Sequence, residues 1–126
     1  MRSEKDLERA LHEATRDLAD YHKLHGSMYQ PGLPDVMLVG PAVVLVELKY
    51  TDAEDPRETL RGSQVSFFLR AAAHRSRTTF LLAARSDGSA WLWRSGTPAA
   101  AMPLQEAFST IRQAILGLPG GTSAPG

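Results

Sequence analysis

The chain has 126 residues, 43% of them hydrophobic, enough for one compact domain with its own core and too many for global disorder. Fourteen basic residues balance fourteen acidic ones, so any nucleic-acid contact must rest on local charge patches and not on the overall field. No cysteine is present, which removes disulfides, thiolate zinc sites and cysteine nucleophiles, and no apolar run reaches the ~20 residues of a membrane helix. Without an apolar signal core at the N-terminus, the expectation is a cytoplasmic protein with no membrane partner.

Residues 3 to about 19 are expected to form an amphipathic helix. Leu7, Ala10, Leu11, Ala14 and Leu18 recur at helical spacing, and Ser3 is placed to cap it. Tyr21 to His25 reads as a short strand. Gln30-Pro31-Gly32-Leu33-Pro34 is a breaker cluster that no helix or central strand can contain. Two valine-rich runs follow, Val36–Val39 and Ala42–Val46, separated by Gly40-Pro41 as in a hairpin. The second run lacks polar alternation before Glu47, as expected of a central strand covered on both faces.

Thr51 to Gly62 reads as a charged loop with room to move. Ser63 is expected to cap a helix through about His74, with Val65, Phe68, Leu69 and Ala72 inward. Thr78–Ala84 is an apolar strand, Ser86 to Ser89 a turn, and Trp91 and Trp93 share one face of the next strand. A last helix spans about Leu104 to Leu118. Pro119–Gly126 reads as a flexible tail, so the single domain is placed at residues 1–118. No internal repeat is visible. This order predicts an α/β fold with a mixed sheet flanked by helices.

Charge within the sheet is the most informative feature. Glu47 and Lys49 interrupt an apolar strand two residues apart, which places both on one face with Leu48 on the other. Burying a carboxylate and an ammonium there is costly unless they pair or hold a metal. Asp35 begins the preceding strand, so a hairpin can bring a second carboxylate alongside. Two carboxylates and a backbone carbonyl make a hard oxygen site suited to Mg2+, with Mn2+ able to substitute. The plainer reading is a structural Glu47–Lys49 ion pair.

The register decides between them. A two-residue Gly40-Pro41 loop would set Asp35 opposite Val46, and Asp35 would face away from Glu47. Convergence needs an odd-length loop, such as Gly40 to Ala42, or a bulge.

Pro34-Asp35 followed by Glu47-Leu48-Lys49 resembles the signature of the PD-(D/E)XK nucleases. With Gly32 and with Gln64 at a helix start, residues 3 to 94 are similar to a stand-alone phage or bacterial VRR-NUC domain. The resemblance implies a restriction-endonuclease-like core and a metal-dependent DNA endonuclease. It implies Asp35, Glu47 and the Leu48 carbonyl as metal ligands, Lys49 as the catalytic lysine and Gln64 as a supporting residue near the phosphate. It further implies Holliday junction resolvase-like action on branched or four-way DNA by a homodimer, in the cytoplasm of a bacterium or a phage-infected host. The chain's own residues offer apolar surface for an interface on the tryptophan strand or on the last helix, where Phe108, Ile111 and Ile115 recur at helical spacing; the alternative is that this helix only caps the domain's own core. The alternatives are a catalytically silent nucleic-acid-binding domain of the same fold and a structural protein with only an ion pair.

Relatives also carry a glutamate on the first helix. At about 100° per residue, with Leu7 as origin, Glu4 falls at roughly 60°, Glu8 at roughly 100° and Glu13 at roughly −120°. Glu4 therefore leads, Glu8 is second, and a solvated acidic first turn is the ordinary alternative. The sequence departs from the pattern at Arg61, where relatives often place a serine, while Ser63 precedes Gln64 directly. His22 and His25 have metal-like spacing, but without cysteine or a helical HExxH pattern a polar or DNA-facing role is favoured. His12 and His74 are read as surface residues, and Trp91 and Trp93 as core or interface. Arg70, Arg75 and Arg77 are either a phosphate-binding patch or solvated charges at a helix end.

Overall fold

The computed structural model describes residues 1–24 and 32–118. His25, Gln30, Pro31 and the expected tail from Pro119 lie outside the described residues. A six-stranded mixed sheet carries helices on both faces, in agreement with the α/β expectation. Helix α1 spans Glu4–Thr15, followed by strands β1 (Asp20–Lys23), β2 (Val36–Val39) and β3 (Val43–Tyr50). Helix α2 (Gly62–Ala73) leads to β4 (Thr79–Ala84), β5 (Ser89–Arg94), β6 (Ala100–Pro103) and α3 (Leu104–Ile115). The strands lie in sequence order, and every neighbouring pair is antiparallel except β3 and β4. That parallel pair needs a crossover, which α2 provides.

Ser3 caps α1 as expected, its hydroxyl accepting from the Asp6 N–H at 3.1 Å. The helix ends at Thr15 and not near residue 19. Thr15 turns its buried hydroxyl back onto the Leu11 carbonyl at 2.9 Å, and its own carbonyl accepts from both Leu18 and Ala19 in a closing turn. Leu7 and Leu11 are fully buried against the even-numbered residues of the sheet, Val36, Leu38, Val44, Val46 and Leu48. Each such leucine contributes roughly 1.5–3 kcal/mol relative to exposure.

Phe108, Ile111 and Ile115 of α3 close the same core, so this helix covers the domain itself and its apolar stripe is no free interface. It also stops at Ile115, three residues before the expected end. Gly117 follows at φ 76, the left-handed conformation that ends helices.

The opposite face packs Leu81, Ala83 and Trp91 under Phe68 of α2. Two expectations for this helix fail. It begins at Gly62, with Arg61 and not Ser63 as its cap, and its buried line runs through Gln64 and Phe68, leaving Val65 and Leu69 39% and 65% exposed. The expected stripe holds at Phe68, while the polar side chain of Gln64 takes the inward place expected of Val65.

Residues 51–62 are tied down. The Asp52 carboxylate accepts from the Ser86 N–H and hydroxyl at 2.9 and 2.7 Å, and Arg85 donates to the carbonyls of Ala53 and Glu54. A 3-10 turn, Pro56–Thr59, is capped by Asp55. Asp55 also grips Arg57, whose guanidinium lies 5.6 and 5.4 Å from the Trp91 and Trp93 ring centroids. Trp93 stacks on Phe68 at 5.1 Å, and its ring N–H donates to the Thr97 carbonyl. The tryptophan strand is thus a capped part of the core and offers no ready interface.

Candidate metal centre

The β2–β3 register brings the two carboxylates together. Val39 pairs with Val43 and Val36 with Val46, so the loop is Gly40 to Ala42, three residues. Gly40 is required there: a Cβ would stand 2.6 Å from the Leu18 carbonyl oxygen and 2.7 Å from Ile115. One step beyond Val36–Val46, Asp35 faces Glu47, and opposed residues share a face. An even-length loop would have separated them.

Asp35 is held on two sides. Its carbonyl accepts from the Leu24 N–H at 2.7 Å, and its carboxylate Oδ2 accepts from the Leu48 N–H at 3.0 Å. One step further the ladder would set Leu48 against Pro34. Proline has no N–H to give, so the Leu48 carbonyl on that side meets no ladder donor from β2. The chain before Pro34 is fixed by Gly32, at φ 93, where a Cβ would come within 2.4 Å of the Ser63 carbonyl oxygen in the first turn of α2. Gly32→Ala must push the loop off α2 in an unfavourable backbone region. It is expected to lower stability by roughly 1–3 kcal/mol. Denaturant unfolding reads this, and a variant as stable as the parent would contradict the close approach.

Glu47 is 2% exposed. Its Oε2 accepts from Gln64 Nε2 at 2.9 Å and lies 3.5 Å from Lys49 Nζ. Gln64 Oε1 accepts from the Arg61 N–H at 2.9 Å, so one buried amide both caps α2 and positions Glu47. With both ends engaged and only 4% of its surface exposed, Gln64 sits behind the Glu47 carboxylate. Glu47 Oε1 is buried with no hydrogen-bond partner among the described residues. A carboxylate oxygen in that condition is costly unless a proton or cation satisfies it.

The electrostatics agree. Burial first, then repulsion from Asp35, pushes the Glu47 carboxyl up to about 7; Lys49 pulls it down, and Glu4 adds a smaller upward push. The Glu4 carboxyl is likewise raised, by desolvation first and then by Asp35, with Lys49 opposing. Glu4 therefore lies within the field of the two strand residues. Glu8 is instead paired with Lys23 at 3.2 Å.

The pH consequence follows from the sign. A carboxyl raised above its unfolded value binds more protons folded than unfolded, so stability falls as pH rises from about 4.5 through about 7. Between pH 5 and 8 the metal-free protein is expected to lose up to about 2–3 kcal/mol through this residue. Glu47→Gln should flatten that decline in urea unfolding curves. Equal pH dependence in parent and variant would contradict the buried-carboxylate account.

Among the described residues no three His, Cys, Asp or Glu side chains form a ready metal cluster. The donor set is two carboxylates, Asp35 and Glu47, and the Leu48 carbonyl. Those hard oxygens, with Glu47 Oε1 unsatisfied, fit a divalent cation such as Mg2+. His22 is exposed on β1, His74 is exposed at the end of α2, and His12 stacks on Tyr21 at 4.5 Å. Arg70, Arg75 and Arg77 are all exposed. The Arg57–Trp91–Trp93 stack was missed from sequence; Asp55-Pro56, a cap followed by proline, was its one local sign.

Comparison of the chain with protein-family models, with curated proteins and with solved structures finds no match. No helix among the described residues is long and apolar enough to cross a membrane.

Proposed function

We propose that the protein is a metal-dependent DNA endonuclease with a PD-(D/E)XK-like core, hydrolysing phosphodiester bonds at the Asp35–Glu47–Lys49 face. The observation that carries this reading is the odd-length hairpin, which aligns Asp35 with a buried Glu47 whose second oxygen has no partner among the described residues. Asp35, Glu47 and the Leu48 carbonyl would hold the cation. A bound Mg2+ supplies Lewis-acid neutralisation of the phosphate and lowers the pKa of attacking water. Gln64 keeps Glu47 directed into the site. Lys49, with three donors and no acceptor, orients the water and steadies negative charge developing on the phosphate. Glu4 reaches the same field from α1 and is the secondary acidic residue.

A second reading, a catalytically silent nucleic-acid-binding domain, draws on the contacts that Gln64 and Lys49 already make with Glu47 Oε2. Incubation with matched linear, flap and four-way DNA, with and without Mg2+, separates the two. Cleavage only with Mg2+ supports the nuclease, and binding without cleavage supports the silent domain. The nuclease is further proposed to act as a homodimer on branched DNA, because two symmetric cuts in a four-way junction require two centres. Sizing in solution with the same substrates reads that part separately. A monomer that cuts linear and branched DNA equally rejects the junction preference alone.

A further inference from the structure

At the other end of the sheet the structure holds a basic cavity that the nuclease reading does not use. A cavity of about 380 Å³ is lined by Ala42, Arg77, Thr78 and Arg94, with Ala114 of α3 and, just beyond its end, Gly117 and Leu118. It opens beside the start of β3, five residues from Glu47, which is roughly 17 Å along a strand. Two guanidiniums share it, and among the described residues neither makes an ion pair with a carboxylate. Arg94 is partly buried, and its pKa is pushed down by desolvation and then by repulsion from Arg77.

The protein's own groups do not relieve this. The end of α3 carries only about half a negative charge. Its carbonyls at Arg112, Gln113 and Ala114 already accept from Leu116, Leu118 and Gly117. Asp17, on α1's trailing turn, is held by Arg112 at 2.6 and 3.0 Å. Guanidinium forks match the oxygens of phosphate, and Thr78 stands beside them in the lining.

We propose that the Arg77–Arg94 cavity binds a phosphate-class oxyanion, either free phosphate or a phosphate of a nucleic-acid backbone. The site stands on its own geometry and does not require the sheet's other end to be catalytic. The anion would sit between the two guanidiniums and remove their mutual repulsion.

The test is thermal unfolding of the full chain, free of divalent cations, with inorganic phosphate exchanged for chloride at constant ionic strength. Phosphate should raise the melting temperature of the parent. R77Q/R94Q should bind phosphate at least tenfold more weakly, while R77K/R94K keeps part of the response. R77Q alone, at an exposed position, should show an intermediate loss even if the double variant folds poorly. R9Q, exposed in the middle of α1, should respond like the parent. A short duplex that displaces phosphate identifies the nucleic-acid backbone as the source, and phosphate binding without displacement identifies the free anion. A parent that responds to phosphate no more than to chloride, or equally in parent and R77Q, overturns the proposal.

Discussion

Glu47→Ala is expected to reduce Mg2+-dependent DNA cleavage by about a thousandfold or more while leaving a folded protein. A metal centre contributes several kcal/mol of charge stabilisation at the transition state, and about 4 kcal/mol corresponds to a thousandfold in rate. The side chain removed is a ligand and not an apolar filler, so the fold loses little that the buried charge did not already cost. Glu47→Gln makes the sharper test. It keeps the volume and a polar group beside Gln64 and Lys49, yet removes the negative charge from a site whose carboxyl is pushed up to about 7. At pH 8 the metal-free Gln variant should be at least as stable as the parent. Added Mg2+ should stabilise the parent by mass action and leave the variant unmoved. Full cleavage by either variant would remove Glu47 from the mechanism.

Lys49→Ala should lower cleavage by about 10²- to 10⁴-fold, the range of a positioned group acting on the proton and charge of the reacting centre. Magnesium binding should survive, because both carboxylates and the Leu48 carbonyl remain. One secondary effect has a definite sign. Lys49 draws the Glu47 carboxyl down, so its removal leaves Glu47 harder to ionise. Magnesium binding by Lys49→Ala should therefore require a higher pH than binding by the parent. Magnesium-induced melting shifts across pH 6 to 9 read this directly. Loss of both binding and cleavage at every pH would make Lys49 a structural support of the site, and unchanged cleavage would leave it without a role.

The strand residues were the most legible part of the sequence. Val36–Val39, Val43–Tyr50 and Thr79–Ala84 are runs of residues that suit a buried pleated surface, and the sheet uses them in that way. The alternation of Glu47, Leu48 and Lys49 fixed which side chains share a face. The valines left the loop length open, and the packing of Gly40 against Leu18 and Ile115 selects three residues over two.

Helix ends and faces were less legible because long-range contacts set them. The α2 periodicity pointed Val65 and Leu69 inward together with Phe68, but the bond from Gln64 to Glu47, 17 residues away in sequence, and the approach of Gly32 to Ser63 set Gln64 beside Phe68 on the inner side and leave Val65 and Leu69 outside. β6 escaped because Ala100-Ala101-Met102-Pro103 has no β-branched residue, and only pairing with β5 makes it a strand. The 51–62 loop read as loose because its charges looked solvated. Asp52 and Arg85 instead spend theirs on fixed backbone partners.

The central claim is that Asp35 and Glu47 converge to hold a cation that serves phosphodiester hydrolysis. Its most direct test is cleavage of one end-labelled four-way DNA by the parent and by Glu47→Gln, titrated side by side with Mg2+ at pH 8. The account predicts cleavage by the parent that rises from nothing to saturation with Mg2+, and none by the variant at any concentration. Cleavage by the parent without divalent cation, or equal cleavage by parent and variant, would contradict it.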